Sequence, residues 1–255
     1  MILCIDIGNT NCVFGVFEND SLLTCFRLES KLSQTIDEYG VKVLELLKFH
    51  NLDRQKIEGV IISSVVPPLD GTFEKMLVKY FNLKPLFVGP GTKTGVRISV
   101  DNPKQVGADI IVGAVASIQK YGTPTIIIDM GTAITLFYVD DKKELVGGVI
   151  APGIRTGFGG LFKNTARLEE VKLHQPPSVI GRDTVSCIQS AMVHGTSAMI
   201  DGLIRKIKKE IGIEKINVVL TGGESRLIQH FLEEEVIYDE DLLMEGLNII
   251  YKKNQ

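Results

Sequence analysis

Tryptophan is absent from the chain, and neither cysteine nor basic charge is abundant: the 255 residues include four cysteines, and the net charge is −3. The cysteines form no CxxC pair, so a zinc site or a dithiol centre is not indicated, and buried, reduced thiols are expected instead. Without a broad basic field the chain has no general attraction for phosphodiester backbones. We therefore expect no nucleic-acid partner.

Long apolar runs are also missing. The N-terminus has no basic leader and reaches Asp6 after four apolar residues, which is too short for the core of a signal peptide. No segment holds the roughly 18 uninterrupted apolar residues that a membrane-spanning helix needs. These absences predict a cytoplasmic protein without a membrane partner.

The composition that remains, 44% apolar and 23% charged residues, is typical of a globular protein. Single cores rarely grow beyond roughly 250 residues. We therefore expect two domains of similar size.

An internal repeat supports two domains. Ile5-Asp6-Ile7-Gly8, followed by Phe14 and Val16, returns as Ile128-Asp129-Met130-Gly131, followed by Phe137 and Val139, and we predict an offset of 123 residues throughout. A third apolar run follows a polar turn in each copy, at 21–28 and at 144–151, so each copy opens with an antiparallel meander. The boundary falls near Gly122, which gives the domains 1–122 and 123–255.

Helical and strand-like patterns alternate after each meander, as in α/β proteins whose helices cover a mixed sheet. The predicted helices lie near 35–49, 70–82, 103–121, 184–211, 224–233 and 241–251. The predicted strands between them lie at 60–65, 86–88 and 216–220. Glycine- and proline-rich stretches at 88–95 and 151–154 interrupt this order, and the pattern of residues 252–255 is typical of a frayed polar end.

The turn after Asp6 has the chemistry of a phosphate-binding loop. Glycine lets the backbone approach a ligand closely, turn N–H groups and the Thr10 hydroxyl can donate to phosphate oxygens, and Asp6 can hold Mg²⁺ directly or through water. An ordinary β-turn is the alternative, because Gly-Asn is a favoured turn sequence. For this turn alone the ordinary β-turn is the better interpretation.

Two further glycine turns favour the phosphate-binding interpretation: Asp129-Met130-Gly131-Thr132-Ala133, and Leu220-Thr221-Gly222-Gly223 at the end of an apolar strand. Together the three turns resemble the superfamily of actin, sugar kinases and heat-shock-protein ATPases. The resemblance implies an α/β fold of two duplicated RNase H-like domains, with mixed β-sheets flanked by helices. It also implies ATP as a substrate.

Longer motifs resemble one family in this superfamily, the type III pantothenate kinases. They run in order along nearly the whole chain: Asp6-Ile7-Gly8-Asn9-Thr10-Asn11, Gly89-Pro90-Gly91-Thr92-Lys93-Thr94-Gly95, Asn102-Pro103, Gly107-Ala108-Asp109, Asp129-Met130-Gly131-Thr132-Ala133, Gly147-Gly148, Ala151-Pro152-Gly153, Thr184, Thr221-Gly222-Gly223 and Leu242-Leu243-Met244-Glu245-Gly246-Leu247. The resemblance implies an ATP-dependent kinase that phosphorylates pantothenate to 4'-phosphopantothenate, the first step of coenzyme A biosynthesis, and it implies a homodimer.

The resemblance also implies roles for individual residues. The ATP-binding positions are Asp6, Ile7, Gly8, Asn9, Thr10, Asn11, Cys12, Val13 and Thr132. The pantothenate-binding positions are Gly107, Ala108, Asp109, Ile110 and Thr184, and Asp109 is the catalytic proton acceptor. Asp129 matches a site for a monovalent cation, K⁺ or NH4⁺, and Asp6 is the candidate for Mg²⁺.

The residues around Asp109 support a base independently. Asp109 precedes an apolar helical run, on a segment that Pro103 is predicted to begin as a helix, and burial there would raise the pKa of the carboxyl. The alternative is an Asp on the helix surface or in its first turn that caps the helix or pairs with its dipole. For an isolated Asp, a role in capping the helix or pairing with its dipole is the better interpretation. Because Asp109 stands in the Gly-Ala-Asp motif of this family, we predict that it is the base.

One position departs from the family pattern, which has arginine where this chain has Ile110. The arginine of the family helps to hold the carboxylate of pantothenate, and losing such a charge-assisted bond typically costs about 1.5–3 kcal/mol. Two alternatives stay open on this ground: a kinase for another small alcohol, and a nucleotide-binding regulatory protein with little or no kinase activity. An actin-like polymer or a chaperone ATPase has no support, because the sequence carries no inserted subdomain.

Overall fold

A computed structural model describes residues 1–165 and 168–255. Backbone contacts divide these residues into two compact units. Met1–Val96, Asp101–Gln119 and Asp241–Gln255 form the first, and Arg97–Val100 and Lys120–Glu240 form the second. The C-terminal segment therefore lies in the first unit, although it follows the second in sequence. The domains 1–122 and 123–255, which were predicted from the sequence repeat, remain a prediction.

Strands and helices alternate along both units. The strands are β1 (Ile2–Ile7), β2 (Asn11–Glu18), β3 (Ser21–Glu29), β4 (Gly59–Ser64), β5 (Leu86–Phe87), β6 (Arg97–Ile98), β7 (Thr125–Met130), β8 (Ala133–Val139), β9 (Glu144–Pro152), β10 (Asn217–Thr221) and β11 (Ile237–Tyr238). The helices are α1 (Ile36–Phe49), α2 (Pro67–Phe81), α3 (Ala108–Tyr121), α4 (Ile154–Lys163), α5 (Thr184–Ser190), α6 (Thr196–Ile211), α7 (Ser225–Ile228) and α8 (Leu242–Lys253). Short 3-10 turns lie at Arg54–Lys56, Pro103–Gln105 and Gln229–Phe231, and a π-helical turn, Ala191–Gly195, joins α5 to α6.

The first unit is built on a sheet of order β3-β2-β1-β4-β5. β1 lies at its centre, antiparallel to β2 and parallel to β4, and its side chains Leu3, Cys4, Ile5 and Ile7 are buried. The core combines the sheet with α1 and α2, where the rings of Tyr39 and Phe73 lie 4.8 Å apart. A capping box between Thr35 and Glu38 begins α1.

Helix α8 packs on β1 and β4 of the first unit. It approaches the sheet at a position without a side chain, because a Cβ atom on Gly59 would lie 1.7 Å from Tyr251 Oη. The end of this helix is tied down as well. The Asn254 side chain accepts from Lys93 N at 2.9 Å and donates to Lys93 O at 3.0 Å. The predicted frayed end is therefore wrong.

The second unit is built on a sheet of order β11-β10-β7-β8-β9-β6. Its first five strands repeat the pattern of the first unit, with β7 antiparallel to β8 and parallel to β10, and β6 is an added edge strand. The core of this unit includes Ile188, Met192, Ile200 and Ile204. Residues of α5, the π-helical turn and α6 thus contribute to this core. The fold is an α/β arrangement with two mixed sheets flanked by helices, as predicted.

The two opening hairpins differ in length by one residue. Ile7 pairs with Cys12 in the first, whereas Met130 pairs with Ile134 in the second. As a result, Phe14 corresponds to Leu136, 122 positions later, and not to Phe137. The register irregularities at Val16/Phe17 and Tyr138/Val139 are also 122 positions apart. The predicted offset of 123 residues therefore holds for the first and third strands and is wrong for the second.

Two helix predictions need correction, and one helix was missed. α2 begins at Pro67 and not near 70, because proline is favourable at the first helical position. Pro103 begins only a 3-10 turn, and α3 starts at Ala108. α4 was not predicted, since Gly157, Gly159 and Gly160 lower its intrinsic helix propensity. No helix of the described residues is long and apolar enough to cross a membrane.

Candidate active site

The first glycine turn joins β1 to β2. Gly8 N donates to Asn11 O at 3.0 Å, which closes the turn, and the side chains of Asn9, Thr10 and Asn11 are exposed. Space inside the turn is limited, because a Cβ atom on Gly8 would lie 3.1 Å from Asn11 O. The turn thus presents polar side chains and backbone to solvent without a side chain at its base.

Residues beside this turn fall into two groups. Asp6 is partly buried near the end of β1, paired across the sheet with Val13 and Ser63. Ile7 and Cys12 are fully buried in the core. Of the predicted ATP positions, Ile7 and Cys12 can therefore offer a ligand only their backbone atoms.

The second glycine turn joins β7 to β8. Gly131 N donates to Ala133 O at 3.0 Å, and Thr132 is exposed. Asp129 occupies the place in β7 that Asp6 has in β1, paired with β8 on one side and β10 on the other. The sequence repeat thus corresponds to a repeated arrangement of a strand, an aspartate and a tight turn.

The third glycine turn, which follows β10, lies directly against Asp129. A Cβ atom on Gly222 would lie 2.4 Å from Asp129 Oδ1 and 2.5 Å from Met130 N. Gly222 also has φ +97, which favours glycine, and Glu224 N donates to Met130 O at 3.3 Å. Two of the three turns singled out in the sequence are therefore brought together within the second unit.

Helix α4 adds an ion pair to this region that sequence reasoning missed. Arg155 Nε donates to Glu224 Oε1 at 3.0 Å, while Glu224 Oε2 is buried and has no hydrogen-bond partner among the described residues. Burial raises the pKa of the Glu224 carboxyl, and Arg155 partly offsets the rise. The pair could not be predicted from the sequence, because α4 itself was not predicted and the two residues are 69 positions apart.

Asp109 lies in the first turn of α3 and is partly buried. Its Oδ1 accepts from Ile110 N at 2.8 Å. Burial raises the pKa of the Asp109 carboxyl, and the hydrogen bond from Ile110 partly opposes that rise. The position of Asp109 in the first turn fits an interaction with the helix dipole, and its raised pKa fits a proton acceptor. Asp109 therefore has the features of both interpretations.

The predicted substrate positions belong to two segments. Gly107, Ala108, Asp109 and Ile110 are consecutive and partly buried at the start of α3. Thr184 is the exposed first residue of α5, next to Asp183, whose side chain accepts from Ser186 N at 2.9 Å. The first segment lies in the first unit and Thr184 in the second.

The donor groups fit the metal ions that the resemblance implies. The described residues contain no group of three or more His, Cys, Asp or Glu side chains placed to bind a metal together. Mg²⁺ in kinase sites uses one or two carboxylates, phosphate oxygens and water, so a single carboxylate such as Asp6 suffices. A single carboxylate at Asp129 likewise suits a monovalent cation.

Comparison with known proteins identifies the family. The model of the family described as "Type III pantothenate kinase" matches residues 2–206. The chain belongs to the type III pantothenate kinase family. It is 45% identical to a type III pantothenate kinase of Exiguobacterium sp. strain AT1b and 44% identical to one of Exiguobacterium sibiricum, in each case over 255 residues that cover all of both chains.

Solved structures agree with this fold. A protein from Campylobacter jejuni described as a "conserved putative Baf family transcriptional activator" has a TM-score of 0.59 at 19% identity, with 99% of this chain and 98% of that chain covered. The polyphosphate/ATP-glucomannokinase of Arthrobacter sp. strain KM has 0.53 at 13% identity, covering 100% and 99%. The ROK hexokinase of Thermus thermophilus has 0.52 at 11% identity, covering 99% and 98%. This chain thus shares its fold with these three proteins.

Proposed function

We propose that this protein is an ATP-dependent kinase that phosphorylates the primary hydroxyl of pantothenate to give 4'-phosphopantothenate and ADP, the first step of coenzyme A biosynthesis. The observation that carries the proposal is the 45% identity over the whole chain with a type III pantothenate kinase, and Asp109 supports it as a partly buried carboxyl with a raised pKa at the start of α3. A raised pKa makes a carboxylate a stronger base, and in a member of this kinase family an acceptor hydroxyl is its natural partner.

The nucleotide part of the proposal rests on the repeated hairpins. Residues 6–13 and Thr132 bind ATP, with Ile7 and Cys12 contributing through their backbone because their side chains are buried. The exposed turn residues supply N–H and hydroxyl donors for phosphate oxygens. In phosphoryl transfer such positioning and charge neutralisation supply most of the acceleration.

The chemical step needs a single proton acceptor. Asp109 takes the proton of the pantothenate hydroxyl. The oxygen of that hydroxyl attacks the γ-phosphorus of ATP, the bond between this phosphorus and the β–γ bridging oxygen breaks, and ADP leaves. Gly107, Ala108, Ile110 and Thr184 hold the acceptor. Mg²⁺ at Asp6 and K⁺ or NH4⁺ at Asp129 neutralise phosphate charge when they are bound.

Ile110 favours a second candidate, a kinase of the same mechanism for a small alcohol without a carboxylate. It is partly buried in the first turn of α3, next to the base, and an aliphatic side chain makes no charge-assisted bond to a carboxylate. This difference concerns the acceptor alone and leaves ATP binding unaffected.

Coupled measurement of ADP release tests the proposal and separates the candidates. Purified protein with MgATP and K⁺ is given pantothenate or pantothenol, in which a hydroxymethyl group replaces the carboxylate. Pantothenate-dependent turnover supports the proposal, and a clear preference for pantothenol supports the second candidate. ATP binding without turnover on either compound would indicate the regulatory alternative.

The variant Ile110→Arg sharpens this experiment. If the acceptor carboxylate lies near position 110, the new guanidinium lowers KM for pantothenate about tenfold or more and leaves KM for pantothenol unchanged. Ile110→Leu, which keeps an aliphatic side chain, is the matched control. Equal effects of both variants on both compounds would place the carboxylate elsewhere.

The assembly and the location complete the proposal. A homodimer in the cytoplasm is the state implied by the family, and the four cysteines, all free thiols, fit a reducing compartment. Light scattering after size exclusion measures the mass in solution. A monomer at micromolar concentration would contradict the dimer.

A further inference from the structure

Ser30, the residue that follows β3, holds the first glycine turn at two points. Its hydroxyl donates to Gly8 O at 2.6 Å. Its backbone N–H donates to Thr10 O at 3.0 Å. Two carbonyl groups of one turn are therefore directed at a single residue outside that turn.

The direction of these carbonyls fixes the direction of two N–H groups. The peptide bonds of this turn are trans, since Thr123-Pro124 is the cis bond found in the described chain. In a trans peptide the N–H points opposite to the C=O of the same unit. The N–H groups of Asn9 and Asn11 therefore point away from Ser30, on residues whose surface is exposed.

Successive backbone N–H groups of a turn can form a concavity suited to anions. If the Gly8 carbonyl were released, the peptide between Gly8 and Asn9 could rotate and present its oxygen to a phosphate instead. Carbonyl oxygen and phosphate repel each other, so holding that peptide in place favours phosphate binding directly. The Ser30 hydroxyl is the group that holds it.

Ser30 is itself held in place. Cys12 Sγ lies 3.2 Å from Ser30 Oγ, and because the single hydroxyl proton is donated to Gly8, the thiol is the donor of that contact. The buried Tyr39 hydroxyl accepts from Lys31 N at 2.9 Å and lies 3.2 Å from Glu29 O. Both neighbours of Ser30 are thus anchored to one core side chain, which preorganises the turn.

The second unit has a related arrangement, in which both hydrogen bonds go to the same carbonyl group. Gly153, which follows β9 as Ser30 follows β3, donates its N–H to Thr132 O at 3.0 Å. The hydroxyl there comes from Thr156, which donates to Thr132 O at 2.8 Å. The first two glycine turns are therefore each held by one backbone N–H and one hydroxyl, but only in the first do these bonds hold two carbonyl groups, and there both come from Ser30.

We propose that Ser30 is a positioning residue for ATP, whose hydroxyl keeps the turn at 8–11 in the conformation that binds phosphate. The inference rests on the proposed ATP site at residues 6–13. Ser30 makes no contact with the acceptor in this scheme. Its loss therefore affects the nucleotide and not pantothenate.

Steady-state kinetics of Ser30→Ala test the inference. KM for ATP should rise about tenfold or more while KM for pantothenate stays within about twofold. Ser30→Thr keeps the hydroxyl and should restore KM for ATP to within about threefold of the wild-type value. Ser30→Cys keeps a weak donor of similar size and should give an intermediate KM, which serves if Ser30→Ala does not fold.

Thr35→Ala is the matched control, because it removes a hydroxyl nearby in sequence that caps α1 and does not touch the turn. It should lower Tm and leave KM for ATP unchanged. A wild-type KM for ATP in Ser30→Ala, or an equal rise in KM for both substrates, would overturn the role of Ser30. A wild-type protein that does not bind MgATP would overturn the proposed function itself, and the role of Ser30 with it.

Discussion

The carboxylate of Asp109 occupies the space that a side chain at Gly107 would need. A Cβ atom on Gly107 would lie 2.3 Å from Asp109 Oδ1, and the next nearest atoms are Asp109 Cγ at 3.4 Å and Val65 Cγ1 at 3.5 Å. The conflict is thus with the end of one flexible side chain and not with backbone. Glycine at 107 is needed for the position of the carboxylate.

Gly107→Ala should therefore reduce turnover without a large loss of stability. The carboxylate can rotate away from the new methyl group, and a displacement of about 1 Å at a catalytic group can cost about a hundredfold in rate. We expect kcat to fall at least tenfold and Tm to change little. Gly71→Ala in α2, where a Cβ would meet nothing within 4 Å, is the control and should keep wild-type kcat. Unchanged kcat in Gly107→Ala would contradict the proposed role of Asp109.

Asp109→Asn should stabilise the protein at neutral and alkaline pH. Burial raises the pKa of this carboxyl, so the folded state binds the proton more tightly than the unfolded chain does. Ionisation then costs the folded state stability, and the cost grows as the pH rises from about 4 through the raised pKa. The gain in Tm of Asp109→Asn should accordingly be complete above the raised pKa and shrink on acidification below it.

Asp37→Asn should change Tm in the opposite direction at neutral pH. Lys79 and Tyr80 lower the pKa of the Asp37 carboxyl through hydrogen bonds, so its ionised form favours the folded state. Its replacement should lower Tm slightly at neutral pH, and the difference should vanish as the pH falls through the lowered pKa. Parallel pH profiles for the two variants would contradict the assignment of a raised pKa to Asp109.

The sequence predicts the two sheets well because the repeat contains their central strands. A buried strand with Asp near its end and a glycine turn behind it can be read from Asp6 and from Asp129 alike. The shortened second hairpin could not be read, because Leu136 and Phe137 are adjacent apolar residues and either could match Phe14. Register depends on the turn geometry, which the sequence repeat does not specify.

Local motifs of the site can be predicted from the sequence, whereas contacts between distant positions cannot. The glycine turns and Gly107-Ala108-Asp109 are local motifs, and the structure places each at the end or start of a regular element, while their roles stay predictions. Contacts that join distant positions were missed. Arg155 at the start of α4 meets Glu224 across 69 positions, and Asn254 holds Lys93 across 161 positions. Tertiary packing decides such contacts and local propensity does not.

Gly222→Ala should destabilise the second unit strongly, whereas Gly223→Ala should not. Gly222 has φ +97, and a Cβ there would meet Asp129 Oδ1 and the Met130 backbone within 2.6 Å, so neither strain nor clash can relax cheaply. We expect a loss of at least about 2 kcal/mol in urea unfolding. A Cβ on the neighbouring Gly223 would meet nothing within 4 Å, which makes it a control one residue away. Equal losses for the two variants would contradict this geometry.

Two nearly identical ion pairs separate the effect of burial from that of distance. Lys120 Nζ lies 2.6 Å from Asp239 Oδ2, and Lys79 Nζ lies 2.6 Å from Asp37 Oδ1. Each lysine also lies 5.5 Å from the ring centroid of the following tyrosine, and that tyrosine donates its hydroxyl to the same aspartate. The acidic side chains differ in exposure, 7% for Asp239 and 60% for Asp37.

Because water cannot replace the lysine at a buried carboxylate, the two pairs should respond differently to the same substitution. Lys120→Met keeps most of the apolar stem and leaves Asp239 buried without this cation, so we expect a loss of about 3 kcal/mol in the free energy of unfolding. Lys79→Met leaves an exposed aspartate that water solvates, and Tm should not change measurably. Denaturant unfolding of the two variants under the same conditions makes the comparison. If both lose the same stability, hydrogen-bond geometry and not burial sets the strength of these pairs.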